Sequence, residues 1–278
     1  MFFVKTRFLR RFASTFVVKQ QQGAVFSIQI NRPEVRNAVN HETAEQLRHA
    51  FRQFENDDGC RVAVLSGCFD TFCAGYDLKE VAKLGTNKEK QIFKEILMGE
   101  QGPMGPTREN FSKPVIAAIS GHAVGGGLEL ALLCDLRVVE HDAKMGFLNR
   151  RFGVPLIDGG TVRLSKLIGL SRAMDLILTG RTVDSNEALT IGLANRVVSK
   201  GTAYSEAFEL GKQIAAFPQA CLTADRQSAY YAMFNAPSLD DALRFEKENS
   251  EDCLLEAING ATRFVAGAGR GGTFNDDH

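Results

Sequence analysis

Residues 121–135 read GHAVGGGLELALLCD, three adjacent glycines followed by Glu129 just ahead of an aliphatic run. Glycines between a strand and a helix let the backbone come close to a ligand. The helix start adds unpaired N–H groups and a partial positive charge. Two such N–H groups aimed at one carbonyl oxygen would stabilise a developing oxyanion. FCAGYD at 72–77 is a second glycine turn before a helix and offers the second donor. A carboxylate in apolar surroundings has a raised pKa and can act as a general base. The plainer alternatives are that the glycines only permit close packing and that Glu129 lies on a solvated helix face.

Other chemistries find little support. GAGRGG at 267–272 fits GxGxxG but lacks the strand–turn–helix setting of a dinucleotide loop. There is no GxxxxGK[ST], HExxH, GxSxG or CxxC. His41, His49, His122 and His141 have no partners at ligand spacing. The six cysteines (60, 68, 73, 134, 221 and 253) lack metal spacing and read as reduced and mostly buried, which implies an intracellular compartment.

The elements that must hold these groups follow from periodicity. FVVKQQQGAVFSIQIN reads as two strands joined by a polar turn, and NRPEVRNAVN as loop. Ala44, Leu47, Ala50, Phe51 and Phe54 mark a helix from His41. RVAVLSG is a buried strand, and Asp77 is the N-cap of a helix. Residues 85–112 read as a mobile insertion with one helix near 88–98. KPVIAAISG is the clearest buried strand, followed by a helix over 128–133 and the strand LRVV. Strand–helix–strand spacing gives an α/β fold. Beyond Thr161 the chain reads as largely helical, including 204–217 and 239–265.

Formal net charge is zero, so no overall field draws the chain to nucleic acid or anionic lipid. No apolar run approaches the roughly 20 residues of a membrane span. The N-terminus carries Lys5, Arg7, Arg10 and Arg11, with no acidic residue before Glu34. Such a start reads as a mitochondrial transit peptide over 1–14, or otherwise as a basic tail on a cytoplasmic protein. A core over 15–200, a helical region over 201–265 and a disordered tail over 266–278 complete the division.

NRPEVRNAVN (31–40), TFCAGYDLKE (71–80), KPVIAAISGHAVGGGLELALLCDLRV (113–138), GGTVRLSKLIG (159–169) and LTGRTVDSNEALTIGLANRVV (178–198) together resemble the crotonase superfamily, the enoyl-CoA hydratase/isomerase family. The resemblance runs from about Phe16 to Phe264. It implies a spiral of ββα repeats with a C-terminal helical trimerisation region, hence a homotrimer or dimer of trimers. It also implies an acyl-CoA thioester substrate held as an enolate, with coenzyme A as part of the substrate and no separate cofactor. The oxyanion donors would be the Tyr76 and Gly126 N–H groups. Ala38, Ala74, Asp77, Leu78 and Lys79 would lie along the coenzyme A, and Arg32 and Arg36 would face its phosphates or serve only at the surface.

Hydratases of the family pair two glutamates. Glu129 matches the first, but an ungapped count puts Asn149 at the second, and an amide cannot carry a proton at neutral pH. Asp158, nine residues on in LIDGG, is the visible replacement, one position off the aspartate used by some relatives. Arg150 and Arg151 would hold an acyl substituent, lower the Asp158 pKa, or merely lie at the surface. The expected activity is hydratase-like addition or removal of water. An enoyl- or dienoyl-CoA isomerase is the first alternative, and a thioester hydrolase or decarboxylase the second. A coenzyme A- or RNA-binding protein with little catalysis is a third, of another class.

Overall fold

The computed structural model describes residues 15–267. The transit-peptide reading of 1–14 and nearly all of the tail lie outside the described residues. The chain opens with β1 (Val17–Gln22), β2 (Val25–Ile30), α1 (His41–Asn56), β3 (Val62–Gly67), α2 (Leu78–Ala82) and α3 (Asn87–Met98). It continues through β4 (Val115–Ile119), β5 (His122–Val124), α4 (Gly126–Leu133), β6 (Leu136–Glu140), β7 (Lys144–Gly146), α5 (Gly160–Ile168) and α6 (Leu170–Thr179). It ends with β8 (Thr182–Asp184), α7 (Ser185–Thr190), β9 (Arg196–Val198), α8 (Ala203–Ala216), α9 (Gln219–Phe234), α10 (Leu239–Asn249) and α11 (Leu254–Val265).

Two sheets follow from this order. A six-stranded sheet runs β1-β2-β3-β4-β6-β9, with only β1 antiparallel. A three-stranded sheet runs β5-β7-β8. In the middle of the chain one strand enters the large sheet and the next the small one, as in β4–β5–α4 and β6–β7–α5. A sheet covered on both faces needs apolar residues at every strand position, and β3 shows this. Ala63 and Leu65 face the main core, while Val62 and Val64 face a second core closed by Ala207, Phe208 and Leu210 of α8. The boundary read at residue 200 is therefore not a packing boundary.

Several sequence readings need correction. Residues 102–107 are buried rather than part of a loose insertion. The helix after the glycine triplet starts at Gly126, not Leu128, and the stretch after Thr161 also contains β8 and β9. The final amphipathic stretch is two helices separated by a short 3-10 turn at Glu251–Cys253.

Loop 31–40 is pinned by Asn37, which is fully buried at φ +57°. Its Oδ1 accepts the Arg32 N–H at 2.9 Å, and its Nδ2 donates to the carbonyls of Cys68 (2.9 Å) and Thr71 (2.6 Å). At 0.5–1.5 kcal/mol net per bond, Asn37→Ala is expected to cost about 2–4 kcal/mol. Urea unfolding monitored by far-UV circular dichroism measures this, and an unchanged midpoint would contradict it.

Candidate active site

Two loops meet beside the small sheet. Cys73 bridges Ala123 of β5, and the Cys73 and Val124 N–H groups donate to the carbonyls of His122 and Cys73. The approach is so close that a methyl on Gly127 would lie 2.2 Å from the Cys73 oxygen. That contact explains one glycine of the triplet on steric grounds. A Cβ on Gly75 would lie 3.1 Å from the Gly126 nitrogen, which begins α4. Among the described residues, neither the Tyr76 nor the Gly126 N–H has a backbone or side-chain acceptor. Both residues line one cavity of about 380 Å3. Two free donors at adjoining turns match the geometry that stabilises an oxyanion.

Glu129 lies in the first turn of α4 and is only 3% exposed. Its Oε1 accepts the backbone N–H groups of Asp158 (2.9 Å) and Gly160 (2.8 Å). Burial, followed by the nearby Asp158 charge, pushes its pKa up to about 7, against the opposing pull of those N–H groups and of Arg163. Asp158 is equally buried, and burial raises its pKa as well. Its Oδ1 accepts the Met104 N–H at 3.0 Å and the Thr107 hydroxyl. Arg163 donates to the carbonyls of Asp158 (3.1 Å) and Thr107 (2.7 Å), tying both loops to α5. Burial thus raises both carboxyl pKa values, and the Asp158 charge adds to the rise at Glu129.

The rest of the cavity is apolar, with Val81, Phe93, Leu97, Met104, Leu148 and Ile157 on its walls. The Tyr76 ring lies 6.1 Å from that of Phe93, and burial pushes its hydroxyl pKa up to about 12, so it stays neutral. Asn149 also lines the cavity. Its Nδ2 donates to the Val154 carbonyl at 2.7 Å, while its Oδ1 is buried without a partner. No cluster of three or more His, Cys, Asp or Glu among the described residues is placed to hold a metal.

The family model described as Enoyl-CoA hydratase/isomerase matches residues 20–266. The chain belongs to the enoyl-CoA hydratase/isomerase family. It is 32% identical to the short-chain-enoyl-CoA hydratase of Clostridium acetobutylicum, over 86% of this chain and 89% of that protein. It is 37% identical to an Arabidopsis thaliana protein named "Probable enoyl-CoA hydratase 2, mitochondrial", over 68% of this chain and 62% of that one. A crystal structure of the enoyl-CoA hydratase EchA1 from Mycobacterium marinum superposes with a TM-score of 0.82 at 30% identity, covering 91% and 96% of the two chains. The crotonase fold is thus present, and the chain is an enzyme with an enoyl-CoA hydratase-like function.

The structure brings Tyr76, Gly126, Glu129, Asn149, Asp158, Ala74 and Leu78 of this family member to one cavity. The other residues expected along the coenzyme A, Arg32, Arg36, Ala38, Asp77 and Lys79, are not on the walls of this cavity. Arg32 is buried and paired with Asp77, so its guanidinium is not presented to a phosphate. Ala38 is also buried, whereas Arg36 and Lys79 are exposed. Arg150 is exposed and donates to the Ile177 carbonyl, and Arg151 is exposed. The cations acting on Asp158 are Arg108 and Arg163. Met104, Thr107 and Arg163 were not visible as site residues, because 85–112 reads as an insertion and Arg163 as one more charge on an amphipathic helix.

Two outcomes follow. Glu129 is active as a base only when ionised, so kcat/KM rises with pH through about 7. An acid limb at the ordinary carboxylate value in the wild type would contradict this. Gly75→Ala forces a side chain onto φ +94° and its methyl against the Val124 carbonyl and the Gly126 nitrogen. It should lower kcat by about 10²–10³-fold, as loss of an oxyanion donor does. Steady-state kinetics measure both effects.

Proposed function

We propose that the protein adds water reversibly across the C2–C3 double bond of a 2-enoyl-CoA. The thioester oxygen accepts from the Tyr76 and Gly126 N–H groups. Glu129 takes a proton from water as its oxygen bonds to C3, and the displaced π electrons form the enolate. Collapse of the enolate takes a proton from the Asp158 carboxyl to C2, and Glu129 returns its proton to Asp158. The observation carrying this reading is the buried Glu129–Asp158 pair in the same apolar cavity as both free N–H groups. Coenzyme A enters with the substrate, and the steps call for no separate cofactor.

Asn149 favours a second reading. With an amide in place of the second glutamate, the acid–base groups are gathered around Glu129 and Asp158. That arrangement also suits moving one proton between C4 and C2, which isomerises a 3-enoyl-CoA. The test is a panel of 2-enoyl-, 3-enoyl-, dienoyl- and 3-hydroxyacyl-CoA thioesters. The wild type should hydrate 2-enoyl-CoA, and Glu129→Gln should lose about 10²–10⁴-fold in rate. Full turnover by Glu129→Gln would overturn both readings. Conversion of 3-enoyl thioesters alone would favour isomerisation.

The assembly belongs to the same proposal. Leu170, Met174 and Leu178 expose one stripe of α6, and Leu254, Leu255 and Ile258 expose another on α11. Such unpartnered apolar faces support a homotrimer or a dimer of trimers. The basic N-terminal segment and the name of the Arabidopsis relative support a location in the mitochondrial matrix.

A further inference from the structure

Of the two oxyanion donors, the Gly126 N–H is aimed by the helix it starts. Tyr76 lies outside any helix or named strand, between β3 and α2. Its orientation comes from loop 31–40, which runs parallel to it with Val39 bridging Tyr76. The Val39 N–H donates to the Gly75 carbonyl and the Asp77 N–H to the Val39 carbonyl, both at 2.8 Å. The Ala74 N–H donates to the Arg36 carbonyl at 3.0 Å. With both neighbouring peptide groups engaged on this side, the Tyr76 N–H is left for the cavity.

One side chain spans this bridge. Arg32 Nη1 donates to the Ala38 carbonyl, in the first loop. Its Nη2 pairs with Asp77 Oδ2 at 3.1 Å, in the second. The Asp77 Oδ1 accepts the Lys79 N–H at 3.2 Å and so caps α2. Both paired side chains are about nine-tenths buried, at 10% and 9% exposed. A buried ion pair is a poor source of net stability, and its best-attested use is to fix register. A slip of one residue in the Val39–Tyr76 pairing would exchange which face of the chain each peptide group presents.

We propose that Arg32, through Asp77, is a positioning residue that locks this register and thereby aims the Tyr76 N–H at the thioester oxygen. The proposal rests on the enolate reading above. It replaces a phosphate-binding role for Arg32, and the two roles differ in what they alter. A phosphate contact changes affinity for coenzyme A, whereas register changes polarisation of the carbonyl.

The test uses the full chain, with the saturated thioester butyryl-CoA as a probe. Its carbonyl stretch is followed by isotope-edited infrared spectroscopy, alongside kcat, KM and the Kd of free coenzyme A. In the wild type the bound carbonyl should shift to lower frequency. Absence of that shift would sink the oxyanion reading itself, separately from the role of Arg32. Arg32→Lys keeps the charge but not the two-armed grip, and should lose much of the shift. Its kcat should fall about 10²-fold, with the Kd of coenzyme A unchanged. Arg32→Met leaves the buried Asp77 without its cation and is at risk of misfolding. The double variant Arg32→Met/Asp77→Asn removes both charges, and should fold while still lacking the shift. A double variant with wild-type kcat and carbonyl shift would overturn the proposal. So would an Arg32→Lys variant whose only defect is weaker coenzyme A binding.

Discussion

Glu129 Oε1 accepts two backbone N–H groups inside an otherwise apolar wall, and much of the molecule is arranged around that contact. A buried carboxylate without donors would stay protonated or destabilise the fold. One with many donors or close cations would fall back to an ordinary acid. Two N–H groups and the more distant Arg163 leave it between these limits, at about 7. The donors come from Asp158 and Gly160, at the entry to α5, so α4 and α5 have to pack where they do. Asp158 is in turn held by Met104 and Thr107, which explains why residues 102–107 are buried.

The second constraint is distance. Two N–H groups on separate turns must serve one oxygen, and the turns can approach only without side chains at Gly75 and Gly127. The parallel sheet sets the stage by ending β3 and β4 side by side, so that loop 72–77 meets the chain leaving β4. The C-terminal helices secure that stage from outside. Asp135 accepts the Val115 N–H of β4 at 2.8 Å, together with Arg226 Nε (2.8 Å) and the Tyr230 hydroxyl (2.9 Å) of α9.

Strands β1–β4 and β6 of the large sheet were legible because their residues form apolar or alternating runs. β3 and β4 are continuous apolar runs, and Asp77 stands as the predicted cap of α2. The three-residue strands β7, β8 and β9 are too short to show a period, and helix signals nearby obscured the last two. Glu129, Gly126 and Tyr76 were legible through glycine turns and family resemblance. Thr107, Met104 and Arg163 were not, because their importance arises only when distant segments meet at Asp158. Arg32 was visible as a charge, but its partner is 45 residues away, and only the folded loop shows that it faces inward.

The central claim is that this cavity stabilises an enolate, with Asp158 exchanging the proton at C2 and Glu129 acting on water. It is tested most directly by proton exchange at C2 of butyryl-CoA in deuterated water, followed by proton NMR. A saturated thioester cannot be hydrated, so exchange reports enolate formation alone. The account predicts enzyme-dependent exchange at C2 that is lost in Asp158→Asn, the carboxyl that exchanges a proton with C2. A wild-type enzyme that binds the thioester but leaves its C2 protons unexchanged would contradict it.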